Sequence, residues 1–380
     1  MKVLVYGAGQ LAQMMNLAGA PLGISVNAVD VKTGKVVNPV DKSEQADSLK
    51  NAIDEANCLT VEFEHVPVDL LNEAHASGKL SPSFESIRVG ADRVIEKKLL
   101  ERLGIANCAH RVVTAIDQLP EVVEQLGDKL ILKASLDGYD GYGQWRLSSR
   151  EQLVELQQTL SALDLQKVPL VVEQMQTFER ELSLLGARNA NGDIVVYPLA
   201  ENLHHQGQLH VSVAPASALT DELNKQALAI FTALADELNY VGLLAVEMFQ
   251  VGDRLLVNEL APRVHNSGHW TQQGAVTSQF ENHLRAIQNL PLGSTEATGI
   301  SAMVNVIGCG GISKEILSVP NTHLHWYGKS VRKKRKMGHI NVVAESYSEL
   351  SARLSELNTH LPAEYFPKLP DEIQRLAALR

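Results

Sequence analysis

The chain has 380 residues, 45% of them hydrophobic, which suits an ordinary globular protein of two or three domains. A net charge of -10 argues against a general nucleic-acid binder, and no apolar run approaches a membrane span. Cys58, Cys108 and Cys309 are scattered without metal spacing and read as reduced thiols of a cytoplasmic protein.

The opening MKVLVYGAGQ reads as a strand entering a glycine turn rather than a signal peptide. QLAQMMNLAGAPLG has apolar residues at helical spacing and ends on glycine. ISVNAVD and CLTVEFEHV are further strands, so the first ninety residues carry the βαβ pattern of a doubly wound α/β domain. A second region starts near Arg93 with the charged amphipathic helix IEKKLLERLGI. The strand KLILKAS follows, then a glycine-rich loop, the helix EQLVELQQTLSAL and the strand PLVVEQM. ELSLLGAR and DIVVYPL are strands separated by the turn residues Asn191 and Gly192. A long helix, DELNKQALAIFTALADELN, precedes the hairpin LLAVEMFQVGDRLLVNEL. PLGSTEATG reads as a linker to a smaller third region with strands such as AMVNVIG and the amphipathic SELSARLSELNTHL. The expected divisions are 1–92, 93–298 and 299–380.

The hairpin gives the sharpest chemical expectation. Centred on Asp253, it sets Glu247 opposite Glu259 on one face, with Ala245, Phe249, Leu255 and Val257 as apolar neighbours. Two carboxylates so placed repel unless a cation joins them, and a hard divalent ion with bound phosphates satisfies both. A protonated carboxyl or a nearby Arg or Lys is the alternative. Lys133 at a strand end, followed by the loop Gly138, Tyr139, Asp140, Gly141, Tyr142, Gly143 and Gln144, suits phosphate binding without being a Walker loop. Gly7-Ala8-Gly9-Gln10-Leu11-Ala12 fits G-x-G-x-x-A, and Asp30 ends the second strand, which keeps a nicotinamide dinucleotide enzyme open as an alternative. Arg263, His265, Asn266, Ser267, His269 and Thr271 crowd one loop after the hairpin. Lys329, Arg332, Lys333, Lys334, Arg335 and Lys336 form a basic run, either a solvated surface or an anion site.

Taken together, EQM at 173–175, the acidic hairpin, NELAPRVHNSGHWT and WYGKSVRKKRKMGHIN resemble the N5-carboxyaminoimidazole ribonucleotide synthetases, over the chain from GAGQL to about residue 345. The resemblance implies an ATP-grasp fold, α/β and α+β: a doubly wound N-terminal domain, a two-subdomain ATP-binding domain and a small C-terminal domain. It implies ATP- and bicarbonate-dependent carboxylation of aminoimidazole ribonucleotide through carboxyphosphate, with Mg²⁺, in a homodimer. Arg93 and Lys133 would meet the ATP phosphates under the loop from Gly138 to Gln144. Backbone groups of Glu173, Gln174, Met175 and Gln176 would read the adenine, and Glu181 the ribose, with His204 nearby. Glu247 and Glu259 would hold Mg²⁺ beside Asn258. Gln10, Leu11, Glu62 and Tyr139 would contact the ribonucleotide, with Arg263, His265 and Asn266 as the other wall. Lys329, Arg335 and Lys336 would take its 5′-phosphate, and Asp140, Arg263 and Lys329 would be the catalytic set. Asp140 is the candidate acceptor of the amine proton.

The chain departs from the family pattern in four places. Tyr142 replaces a loop arginine, Ala12 and Gln13 replace Gly-Arg, Lys333-Lys334 replaces Pro-Gly, and Ala261 stands where many ATP-grasp enzymes have Asn. Another ATP-grasp ligase acting on a different ribonucleotide, or a non-catalytic nucleotide-binding protein, also fits these strings.

Overall fold

A computed structural model describes residues 1–136, 138 and 143–379. Tyr139, Asp140, Gly141 and Tyr142, and with them the expected base and the substituted loop position, lie outside the described residues.

The chain opens with β1 (Lys2–Tyr6), α1 (Gln10–Gly19), β2 (Ser25–Asp30), β3 (Lys35–Val37), α2 (Leu49–Glu55), β4 (Cys58–Val61), α3 (Val68–Ala76) and α4 (Phe84–Ala91). The sheet order is β3-β2-β1-β4, with β2, β1 and β4 parallel and β3 an antiparallel edge. β1 is buried on both faces, hence its unbroken apolar run. The edge hairpin to β3 consumes Asp30: its carboxylate accepts the Lys32 N–H at 2.9 Å.

α5 (Arg93–Arg102) starts on an Asp92 cap that accepts the Val94 N–H. It leads into β5 (His110–Val113), α6 (Leu119–Leu126), β6 (Leu130–Ala134), β7 (Gln144–Leu147), α7 (Leu153–Leu160) and β8 (Leu170–Gln174). These strands form an antiparallel sheet in the order β5-β8-β6-β7, whose apolar face is closed by α6 and α7.

Next come β9 (Arg180–Arg188), β10 (Ile194–Val196), β11 (Ala200–His205), β12 (Gln208–Ala214), α8 (Asp221–Glu237), β13 (Gly242–Val251) and β14 (Arg254–Ala261). α9 (Thr271–Gly274), α10 (Gln279–Ile287), β15 (Ile300–Ile307), β16 (Thr322–Trp326), β17 (Lys336–Ala344), α11 (Tyr347–Thr359) and α12 (Leu369–Ala377) complete the chain. Among the described residues one large sheet runs β14-β13-β9-β11-β12-β15-β17-β16, with β10 beside β9. β15 pairs with β12 from Val211↔Val304 to Ala214↔Ser301, so backbone bonding continues past the linker at 291–299. α8 buries Phe231 and Leu234 against one part of this sheet, and α11 and α12 bury Leu350, Leu354, Leu369 and Leu376 on another. The tail, for which the sequence suggests no role, is therefore a core element.

Two long-range contacts dock the first sheet. α1 packs on α10, and buried His283 accepts the Leu243 N–H at Nδ1 (3.1 Å), which leaves Nε2–H to donate to Thr60 Oγ1 at 3.0 Å. Burial pushes His283 down to about 4, so the ring is neutral in this bridge.

Candidate functional site

The acidic pair forms, but by a different register. A two-residue turn at Gly252 and Asp253 pairs Val251 with Arg254 and Met248 with Val257. Continued unchanged, it would set Glu247 against Asn258. A bulge next to Glu247 restores Glu247↔Glu259. The bulge corrects the expected neighbours: Ala245 and Phe249 share the carboxylate face, whereas Leu255 and Val257 join the opposite core with Met248. Asn258, the extra residue, also reaches the site, where its Oδ1 accepts from Lys133 Nζ at 3.1 Å.

Burial raises Glu247 to about 7; His204 opposes the shift, and the Glu259 and Glu181 charges reinforce it. Glu259 is more open and lies 3.7 Å from Arg93 Nη2. A carboxylate that resists ionisation because it is buried, with two further carboxylates adding to the effect, marks a site short of positive charge, so this donor set fits a hard divalent cation. β14 is an edge strand whose Leu260 N–H is taken by the Glu96 carboxylate at 2.8 Å and whose Val257 N–H is taken by Ala106 O. Burial pushes Glu96 up to about 7, with Lys97 opposing and Glu259 reinforcing.

Cations come from β6 and α5. Lys133 Nζ lies 2.6 Å from Glu173 Oε2, and Lys97 Nζ 2.6 Å from Glu173 Oε1. Burial alone would raise Glu173, yet Lys133 and Lys97 together bring it down to about 2. Sequence reasoning missed Lys97; its signal was a lysine falling on the buried side of α5 with Arg93 and Leu100. Arg93 donates to Ala134 O at 3.1 Å and to Gly138 O at 3.3 Å, tying the helix start to the glycine loop. Gly143 adopts φ +65 at the loop's far end, and Gln144 pairs with Lys133 on β7. The N–H groups of Gln174 and Met175 are already used, by Ala109 O and Lys129 O. Gln176 Nε2 reaches back to Gln174 O at 3.4 Å. Glu181 Oε2 lies 3.0 Å from His204 Nδ1, a contact that raises His204 against its burial.

The first glycine turn is filled from within. Glu62 Oε1 accepts the Gly9 N–H at 2.5 Å and Oε2 the Ala12 N–H at 3.1 Å, so the protein's own carboxylate sits at the N-terminus of α1. A Cβ on Gly9 would lie 2.5 Å from Glu62 Oε1, and one on Gly7 2.2 Å from Glu62 Cγ, which explains both glycines. With Glu62 in the pyrophosphate cradle and Asp30 in a turn, the dinucleotide reading fails on sterics and charge.

Near Glu62 the N-terminal glycine turn meets the segment that opens the basic run. Lys329 Nζ donates to Gln10 Oε1. Burial lowers Lys329 to about 8, with Glu62 opposing and Arg335, Lys336 and Lys42 adding to the fall. Arg335 is held by Ser330, at 2.8 Å to Oγ and 3.1 Å to O. Leu11 packs in the core and does not expose its side chain. Arg263 pairs through Nε with Glu64 at 2.8 Å, a partner the sequence did not suggest. His265 Nδ1 lies 2.9 Å from Ser267 Oγ and 3.8 Å from Glu247 Oε1, so the loop that pairs with Glu64 also reaches the acidic pair. Asn266 exchanges two side-chain hydrogen bonds with Asn305 (2.8 and 3.1 Å). Lys333 and Lys334 occupy a turn closed by Arg335 N–H to Arg332 O, with Lys334 at φ +64.

Residues 1–91 match the ribonucleotide synthetase preATP-grasp domain family, 98–280 the ATP-grasp domain and 301–353 the phosphoribosylaminoimidazole carboxylase C-terminal domain. The N5-carboxyaminoimidazole ribonucleotide synthase of Vibrio cholerae is 49% identical over 371 residues, 97% of each chain. The crystal structure of the synthetase from Thermus thermophilus is similar at TM-score 0.84 and 39% identity, over 94% of this chain and 98% of that one. That of the Aspergillus clavatus enzyme in complex with ADP and 5-aminoimidazole ribonucleotide is similar at TM-score 0.82 and 29% identity, over 98% of both chains.

Proposed function

The chain belongs to the N5-carboxyaminoimidazole ribonucleotide synthases, ATP-grasp ligases of purine biosynthesis, and on that premise we propose how its residues divide the work. The enzyme carboxylates 5-aminoimidazole ribonucleotide at the expense of ATP. A bicarbonate oxygen attacks the γ-phosphorus, the bond to the β-phosphate oxygen breaks, and ADP leaves. The exocyclic amine then takes the carboxyl group of carboxyphosphate, or the CO₂ released from it, as phosphate departs and the amine gives up a proton.

Lys133 and Arg93 hold the phosphates. Glu173 acts indirectly: it is locked between two lysines and keeps Lys133 in place. Reading of the adenine edge falls to backbone groups beyond the Met175 N–H, which is already used. Glu181 takes the ribose, and His204 orients it. Glu247 and Glu259, opposed on β13 and β14, would hold Mg²⁺ with Asn258 beside them, and the bound ion would supply charge neutralisation at the transferring phosphoryl group. Phosphoryl transfer needs positioning and charge neutralisation more than covalent help, and these residues supply both.

Lys329, Arg335 and Lys336 anchor the 5′-phosphate, Gln10 and Glu62 face the ribonucleotide, and Arg263, His265 and Asn266 form its other wall. Asp140 is assigned the amine proton from its place in the sequence. The observation that supports this reading is that one loop pairs with Glu64 through Arg263 and reaches Glu247 through His265 at 3.8 Å. Buried free thiols at Cys58, Cys108 and Cys309 support work in a reducing cytoplasm, and the family resemblance supports a homodimer.

The test is ADP release with bicarbonate present, with and without aminoimidazole ribonucleotide. The ribonucleotide should stimulate release strongly; equal rates would refute the assignment.

A further inference from the structure

Beneath Lys329 lies a polar assembly, buried at Tyr327 and His339 and half-buried at Gln272, Gln273 and His325, that the mechanism above does not use. Tyr327 OH meets His339 Nδ1 at 2.6 Å, and His339 Nε2 meets Gln272 Oε1 at 2.8 Å. Gln272 Nε2 approaches His325 Nδ1 at 3.4 Å, and His325 Nε2 meets Gln273 Oε1 at 3.1 Å. The chain has one consistent direction. An amide oxygen only accepts, so His339 carries its proton on Nε2 and its Nδ1 must accept; the Tyr327 hydroxyl therefore donates. The Gln272 amide then donates to His325 Nδ1, and His325 Nε2–H donates to Gln273, whose oxygen also accepts from Asn341 Nδ2 at 2.7 Å. Every link requires neutral imidazoles, and burial lowers His339 well below its usual value and His325 to about 4. The two rings stack across β16 and β17 at 4.4 Å and 7°.

The outer end of this chain is the Tyr327 ring, and Lys329 Nζ lies 5.3 Å from its centroid. We propose that Tyr327 is a positioning residue: its ring seats the Lys329 ammonium toward the 5′-phosphate of the ribonucleotide, and the His339–Gln272–His325–Gln273 chain holds that ring at one orientation. The proposal rests on Lys329 being a phosphate anchor. A hydroxyl tethered at 2.6 Å with only neutral partners below it fixes the platform without placing a competing charge under the cation.

The test compares aminoimidazole ribonucleotide with its dephosphorylated riboside at saturating ATP and bicarbonate, reading ADP release. Tyr327→Leu should raise the ribonucleotide KM about fivefold, the worth of one partly buried cation–π contact. The KM for ATP and the efficiency with the riboside should stay within about twofold, because neither depends on the phosphate anchor. Tyr327→Phe, which keeps the ring, should recover most of the loss. His339→Gln, which loosens the ring from below and serves if the leucine variant does not fold, should give the same selective rise at smaller size. A Tyr327→Leu or His339→Gln enzyme that shifts the ATP and riboside parameters in equal proportion would show ordinary core damage and overturn the proposal. An unchanged ribonucleotide KM in Tyr327→Leu alongside a raised one in Lys329→Met overturns it while leaving the anchor intact. An unchanged KM in Lys329→Met overturns the anchor and the proposal together.

Discussion

Two carboxylates of this enzyme behave in opposite ways, and the more deeply buried of them, Glu173, is the one that ionises readily. Glu173 sits between Lys97 and Lys133 and is brought down to about 2; Glu247 faces Glu259 and is held up at about 7. Burial disfavours the charge at both, so depth cannot be the cause of the difference. The neighbours decide it. The Glu173 site is complete within the protein and serves rigidity. The Glu247 site is left short of positive charge, and that deficit is what the proposed metal ion would fill.

The comparison can be broken by substitution. The largest effect is expected from Glu259→Ala, which removes one of the two carboxylates proposed to hold the metal: kcat for ADP release should fall by about a hundredfold or more at saturating substrates. An enzyme retaining full turnover would remove Glu259 from the metal site.

Glu173→Gln should act mainly on stability. It leaves Lys97 and Lys133 close together without their counter-charge, at a cost of about 3 kcal/mol in urea unfolding. The sign with pH follows from the lowered carboxyl. Its contribution is fully present above the unfolded value of 4.5 and is lost as pH falls through about 2. The gap between wild type and variant should therefore be constant at neutral pH and close only in strong acid.

Lys329 offers an intermediate effect on binding. Its ammonium is lowered to about 8, so the cation is lost above that pH. Ribonucleotide kcat/KM should fall by up to about tenfold per unit beyond pH 8, while the KM for ATP does not follow. Lys329→Arg should keep the charge and flatten the profile.

Glu247→Gln should stabilise the metal-free protein by about 1 kcal/mol, because it removes a charge the fold resists, while abolishing stabilisation by Mg²⁺ and nucleotide. A lower melting temperature in that variant would contradict the comparison directly. The smallest effect belongs to the basic turn: Lys334→Gly, at φ +64, should gain about 0.5–1 kcal/mol in melting experiments, with little change in turnover.

Much of this was legible in the sequence because its rules are local. Period-2 alternation put Glu247 and Glu259 on one face, glycine spacing marked the turn after β1, and helical spacing marked α1, α5, α8 and α11. The family strings then joined these into an ATP-grasp ligase. The tertiary structure alone decided which charges would be satisfied. Lys97 and Glu173, Arg263 and Glu64, and Lys329 and Gln10 come from different elements, the last pair 319 residues apart in sequence. It also decided that a carboxylate from β4's end, not a ligand, fills the first glycine turn, and that a bulge at Asn258 rescues a register the turn alone would have lost. The reason is one of range: strand and helix periods constrain neighbours a few residues apart, whereas ion pairing and burial depend on which distant surfaces the fold brings together.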